Sequence, residues 1–339
     1  MNKVLCFGEL LLRFSPSPNG EWLSSNQMPV FVGGAELNVA TALSTWGVPV
    51  KYCTAVPDHA VARDILSFVE KKNIDTSPVV FSGDRLGLYY LSTGSDMKSA
   101  ATVFDRKDSS FATLATGIIN WDAILQDVSW FHFSAIAPGL SKSAAALCKE
   151  ALEAASSRSI PISVDLNYRP LLWKYGCSPQ EIMPELVQYS DVVMGNLWSA
   201  NTLLGIPLDT SLEKNPTFDT YLAHATATAT AILSNNPTCK YVANTFRFHE
   251  NQHAVHYYAT LNTAQGQTVS PTFNTQQIVD KVGSGDCFMA GLIYGMIHKH
   301  QPADIISFAA AAAFGKLHEK GDTTSNSISA IQQLISQHI

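Results

Sequence analysis

From about Ile124 onward, short apolar runs alternate with longer segments of helical period. Val128–Ala135 reads as a strand, and Ser141–Ser157 as a helix with Ala145, Leu147, Ala151 and Leu152 facing inward. Ile160–Asp165 and Asp191–Met194 read as further strands, and Pro179–Tyr189, Trp198–Leu204 and Pro216–Leu233 as helices. The first third follows in part, with a strand at Lys3–Phe7, a helix at Glu36–Trp46 closed by Gly47, and a helix at Pro57–Lys72. Such alternation predicts a parallel sheet covered by helices on both sides.

Two stretches break the pattern. Gly20–Gly33 and Arg85–Arg106 hold short strand patterns (Pro29–Val32, Gly87–Leu91, Ala101–Phe104) with no helix between them. Paired, they would form a small sheet over the carboxyl ends of the large one, where open α/β sheets bind ligands, and would act as a lid. Thr226–Thr230 and Ala309–Ala313 read as helix rather than linker, and no internal repeat is visible.

Composition narrows the class. With 339 residues, 46% hydrophobic and 15% charged, the chain suits a large α/β body with an appendage and not a disordered segment. The net charge of −6, with no basic run beyond Lys71-Lys72, argues against nucleic acid as a partner. Any anion site must therefore be built locally. No apolar stretch reaches the ~18 residues of a membrane helix, and Met1–Gly8 lacks the shape of a signal peptide. The six cysteines are scattered, as buried reduced thiols are. The expectation is a cytoplasmic protein with no membrane partner.

The chemistry concentrates in Val279–Gly295, where a strand-like end meets Gly283-Ser284-Gly285-Asp286 and then a helix expected to be amphipathic, with Phe288, Gly291, Leu292 and Gly295 near one face. Two glycines let successive N–H groups converge, and the helix dipole adds positive potential at the same point. That is an anion hole for a transferring phosphoryl group, with Asp286 placed to accept a proton from an attacking hydroxyl. A P-loop is excluded because no G-x-x-x-x-G-K-[ST] is present, and Phe288 in the third glycine's place breaks the dinucleotide fingerprint. The bland alternative is a capped helix with an acid in its first turn.

A second motif, His249-Glu250-Asn251-Gln252-His253, matches the H-E-x-x-H of zinc proteases. Its flanks alternate like strands (Val255, Tyr257, Ala259), so the segment reads as a polar hairpin turn, and no metal ligands are assigned.

Asp280-Lys281-Val282-Gly283-Ser284-Gly285-Asp286-Cys287-Phe288-Met289-Ala290-Gly291 resembles the D-T-V-G-A-G-D-x-F-x-x-G signature of the ribokinase-like (PfkB) sugar kinases. Gly33-Gly34-Ala35-Glu36-Leu37-Asn38-Val39-Ala40 resembles their G-G-x-x-x-N-x-A segment. The resemblance implies an α/β, three-layer αβα sandwich in one domain across residues 1–339, with a β lid from about 12–34 and 85–107. It implies ATP and Mg²⁺, and admits a monovalent cation. Asp286 would be the base, Gly283, Ser284 and Gly285 the anion hole, and Asn196 and Thr245 further nucleotide contacts. Members often form homodimers through the lid.

Within the family, the chain is most similar to 2-keto-3-deoxygluconate kinases. Gly8-Glu9 followed by Arg13 places an arginine where many sugar kinases have a hydroxyl-gripping Asp. Tyr89, Phe104-Asp105-Arg106, the run Asp165 to Trp173, and Gly321-Asp322 match landmarks of that subgroup. The resemblance assigns Gly33, Gly34, Asn38, Tyr89, Phe104, Arg106, Asn167, Arg169, Asp286 and Asp322 to the substrate. Arg106 and Arg169 suit a carboxylate, which favours a planar bidentate donor. Alternatively each pairs with a neighbouring acid, Asp105 or Asp165. Fructokinase or another ketose kinase, or a catalytically weak sugar-acid-binding regulator, are the other readings. Three departures stand out: Ser199 replaces the family acid that organises Mg²⁺ waters, Val242–Arg247 lacks the T-L-G-x-x-G nucleotide loop, and Phe104 replaces a common Tyr.

Overall fold

The computed structural model describes residues 2–16, 26–92, 102–209, 212, 216–249 and 255–338. Its strands, in chain order, are β1 (Lys3–Phe7), β2 (Leu11–Phe14), β3 (Val30–Gly33), β4 (Val50–Cys53), β5 (Ala55–Val56), β6 (Ile74–Asp75), β7 (Val80–Phe81) and β8 (Gly87–Tyr90). They continue as β9 (Val103–Asp105), β10 (Val128–Ser134), β11 (Ile162–Asp165), β12 (Val192–Gly195), β13 (Tyr241–His249), β14 (Val255–Thr263), β15 (Gly266–Val269) and β16 (Phe273–Thr275).

The large sheet is parallel in the order β6-β4-β1-β10-β11-β12-β13, and β14, with β15 and β16, extends it antiparallel. Strands buried on both faces divide their side chains between two cores. On β1, Val4 and Cys6 join the core shared with helices Ala35–Thr45, Ser284–Ile297 and Pro302–Lys316. Leu5 and Phe7 join the opposite core, with helices Lys142–Ser156 and Pro179–Val187. The three-layer sandwich follows. Ser141 caps Lys142–Ser156 by accepting from the Ala144 N–H, and the four residues expected to face inward are all buried.

The Ser284–Ile297 helix departs from the expected amphipathic pattern, being buried without a break from Asp286 to Ile293. It runs between two other helices; a Cβ on Gly291 would stand 2.6 Å from the Ala309 Cα. Five of the six cysteines are buried, and Cys177 is half-buried.

Along the chain, β1 to β4 to β6 steps one way across the sheet and β10 to β13 steps the other. The reversal falls between β1 and β10, the place where α/β sheets bind ligands at strand carboxyl ends. The lid is a separate four-stranded sheet in the order β3-β2-β8-β9. Its three expected strands are present, shifted by one or two residues. The fourth, β2, escapes sequence reading because its inward positions are Leu11 and a wholly buried Arg13, so charge interrupts the apolar period. β13 and β14 pair antiparallel with His249 opposite Val255, as a hairpin requires, while 250–253 of the H-E-x-x-H segment lie outside the described residues. Among the described residues no cluster of His, Cys, Asp and Glu could hold a metal, and no helix is long and apolar enough to cross a membrane.

Candidate active site

Two glycine turns set the floor. Gly283 begins the Ser284–Ile297 helix at φ 78°, and a Cβ there would lie 1.9 Å from the Asp322 carbonyl oxygen. Gly34 precedes the Ala35–Thr45 helix at φ 140°, where a Cβ would lie 2.3 Å from the Glu9 carbonyl oxygen. Only glycine fits either place. Gly285 is different: it is exposed, and the nearest atom to a Cβ there would be Met194 Cε, 4.0 Å away at the end of β12.

Asp286, in the helix's first turn, accepts from Asn38 Nδ2 at 2.6 Å. Burial pushes its carboxyl up to about 6, against the Asn38 bond and the Arg169 charge, while Asp322 adds to the rise. A carboxylate so tuned is a base that works near neutral pH. Asp286 shares a cleft with Gly34, Asn38, Tyr89, Phe104, Arg106, Asn167, Arg169 and Asp322. Of the substrate residues named from sequence, only Gly33 does not line it; a Cβ on Gly33 would stand 2.5 Å from Asp322 Oδ2, behind the wall. Leu11, Ile136 and Val282, which sequence reading did not name, supply apolar lining.

The arginines are held in ways the sequence did not indicate. Arg106 directs Nε and Nη2 onto Glu9 Oε2, both at 2.5 Å, and the Ser109 hydroxyl donates to Glu9 Oε1. Asp105, the neighbouring acid expected as its alternative partner, pairs instead with Arg85 at 2.7 Å. Successive residues of an extended chain point to opposite faces, which separates Asp105 from Arg106. Arg169 donates Nη1 to the Tyr168 carbonyl at 3.2 Å, and its charge acts on both Asp165 and Asp286. Burial, with Asp286 second, holds the Asp165 carboxyl well above the usual carboxylate range. Arg13 does not reach the cleft; it lies wholly buried behind Asp322.

The nucleotide side is less complete. The Ser284 hydroxyl donates to the Ala313 carbonyl at 3.0 Å, so this residue offers the turn only its backbone. Asn196 caps Leu197–Leu204, its Oδ1 accepting from the Ser199 N–H at 2.8 Å. Thr245 lies on β13 opposite Ala259, just beyond the last residue paired with β12. Neither lines the cleft. Ser199 stands in the acid's place at the start of the Leu197–Leu204 helix, so no carboxylate is offered from that position.

The sequence matches the model of the pfkB family carbohydrate kinases over residues 1–239 and 252–329. The chain belongs to the pfkB family. It is thus an ATP-dependent sugar kinase. The 2-dehydro-3-deoxygluconokinase of Thermotoga maritima has a similar crystal structure, with TM-score 0.88 and 29% identity, covering 99% of this chain and 100% of that one. The 2-dehydro-3-deoxygalactonokinase of Haloferax volcanii is 26% identical over 325 residues, 94% of this chain and 92% of its own. Fructokinase-1 of Zea mays is 24% identical over 298 residues, 87% and 83% of the two chains. In this pfkB kinase the lid, the glycine turn and the cleft meet at the point where strand order reverses. A larger open hollow beside β6, about 480 Å³, gathers Glu70 and Asp75 and no basic residue, so it does not suit an anionic substrate.

Proposed function

We propose that this pfkB kinase transfers the terminal phosphoryl group of ATP to a hydroxyl of a 2-keto-3-deoxy sugar acid, converting 2-keto-3-deoxygluconate to its 6-phosphate. The observation that carries the reading is that two guanidinium groups, Arg106 and Arg169, line the same cleft as Asp286. Glu9 takes Nε and Nη2 of Arg106, leaving Nη1 for a ligand, while Arg169, which follows β11, lines the same cleft. A carboxylate between them would be gripped by charge-assisted bonds. Asp286 takes the proton of the attacking hydroxyl, the new P–O bond forms as the bond to the β-phosphate oxygen breaks, and ADP leaves. The N–H groups of Gly283–Gly285 face the charge that develops on the transferring group. Asp322, Tyr89, Asn167, Gly34 and Asn38 bind sugar oxygens, with Phe104 as apolar wall and Gly33 as backing. Asn196 and Thr245 flank the nucleotide.

Magnesium is brought by the nucleotide's phosphates. No protein site is assigned to a monovalent cation, since Asp280 and Asp322 beside the turn are already engaged by Arg13. The enzyme acts in the cytoplasm, where ATP is supplied, as a homodimer joined through the lid. The exposed Val30 and Val103 on the lid's two edge strands support that pairing. A strict monomer by light scattering at tens of micromolar would remove it.

The substrate test compares kcat/KM on 2-keto-3-deoxygluconate and on fructose for wild type, Arg169→Ala and Arg169→Lys. Arg169→Ala should cost about tenfold to a hundredfold on the sugar acid and far less on fructose, with Lys rescuing only in part because it lacks the fork. Wild-type preference for fructose, or equal losses on both sugars, would establish the fructokinase reading instead.

A further inference from the structure

Among the described residues Arg13 is the largest fully buried side chain, and it sits inside the lid sheet, on β2 between β3 and β8. Its register partners are Phe31 on β3 and Tyr89 on β8, and the Phe31 ring lies 4.3 Å from its guanidinium carbon. Nε donates to Asp322 Oδ1 at 2.6 Å and Nη2 to Asp280 Oδ2 at 2.9 Å. Each acid has a second duty. Asp322 lines the cleft and receives the Tyr89 hydroxyl on Oδ2 at 2.8 Å. Asp280 precedes the glycine turn and accepts from the Val282 N–H at 3.1 Å and the Gly321 N–H at 3.2 Å.

Adhesion alone does not account for this arrangement. A buried ion triad loses hydration that an apolar cluster of equal volume would not, so fastening the lid does not call for charges. The triad does what an apolar cluster cannot, joining the lid to the cleft and to the anion turn through one guanidinium. The backbone is moulded to the same point, since a Cβ at Gly33 would strike the Asp322 carboxylate and one at Gly283 its carbonyl.

We infer that Arg13 is a positioning residue that couples the lid to the anion turn, aiming Asp322 at the sugar while Asp280 shapes the turn that receives the phosphoryl group. The groups facing Asp322 are Arg13, Asp280, Tyr89, Lys316 and Asp286. Burial, with the Asp280 charge behind it, raises the Asp322 carboxyl, and Arg13 with the Tyr89 hydroxyl opposes that rise, so without Arg13 the acid would stay protonated at higher pH. The coupling rests on the kinase reading, though not on which sugar is phosphorylated.

The experiment uses whichever sugar the wild type turns over best, and records kcat, KM for the sugar, the pH profile and Tm for Arg13→Met and Arg13→Lys. Arg13→Met should raise the sugar KM by about tenfold or more, lower kcat, and move the acid limb of kcat/KM upward. Arg13→Lys, which keeps the charge and loses the fork, should return the limb toward its wild-type position while KM stays raised. A lower Tm with KM, kcat and pH profile unchanged would reduce Arg13 to a structural brace and overturn the inference. If Arg13→Met does not fold, Arg13→Lys decides alone: wild-type KM and kcat there overturn it, and a raised KM with the wild-type acid limb upholds it. A wild type that phosphorylates no sugar fails earlier, at the kinase reading, before any variant is compared.

Discussion

Asp286 draws opposite influences from its neighbours, and their balance fixes the pH at which it can act as a base. Burial and Asp322 push its carboxyl up, Asn38 and Arg169 hold it down, and the outcome is about 6. If Asp286 is the base, as proposed, it must be ionised, so kcat/KM should fall as pH drops through about 6 and level off above it. Asn38→Ala removes a hydrogen bond to the charged form, of order 1.5–3 kcal/mol, and should move that limb upward by about 1 pH unit or more. A limb that stays in place would mean the 2.6 Å bond does not tune the acid. Asp286→Asn should leave the fold intact and lower turnover by roughly 10²–10⁴; retention of most turnover would remove Asp286 from the role.

At the scale of the element, the glycine turn separates what folding needs from what catalysis needs. Gly283→Ala forces a side chain into a left-handed position and against the Asp322 carbonyl, so it should lower Tm and activity together. Gly285→Ala meets no atom closer than 4.0 Å and replaces glycine with a better helix former, so Tm should hold or rise. In the proposed mechanism its methyl group would project into the space of the transferring phosphoryl group, and turnover should fall by about 10²-fold. Thermal melts beside initial rates give the comparison, and a fully active Gly285→Ala would take the anion hole away from this turn. The same contrast explains what was legible in the sequence. Gly283 to Asp286 are contiguous, so the motif shows itself. The Glu9–Arg106 and Arg13–Asp322 pairs join positions 97 and 309 residues apart, and nothing local announces them. β2 was hidden from the pattern for the same reason: Arg13 interrupts the apolar alternation, and the two distant acids that bury it show only in the fold.

Across the whole molecule, the parallel sheet was legible because strands buried on both faces read as unbroken apolar runs, whereas the reversal of strand order between β1 and β10 left no local sign. Glu36 stands at that reversal and ties the layers together. From the Ala35–Thr45 helix its Oε1 accepts from the Ser134 N–H at 2.9 Å and from the Ser134 hydroxyl at 2.5 Å, at the end of β10, while its Oε2 fills the space a Cβ on Gly8 would need. Burial raises its carboxyl to about 7, partly offset by the Ser134 bonds. The folded state therefore holds this proton more tightly than the unfolded chain, whose glutamates titrate near 4.3. The stability it contributes is complete below about pH 4 and is lost as pH rises through about 7, a difference on the order of 3 kcal/mol. Asp286 carries a smaller effect of the same sign, ending near pH 6. Glu36→Gln keeps an acceptor for Ser134 and removes the titration, so its Tm should change less between pH 5 and 8 than that of wild type and exceed it at pH 8. Parallel Tm curves for the two proteins over that range would show that the pH dependence of folding arises elsewhere.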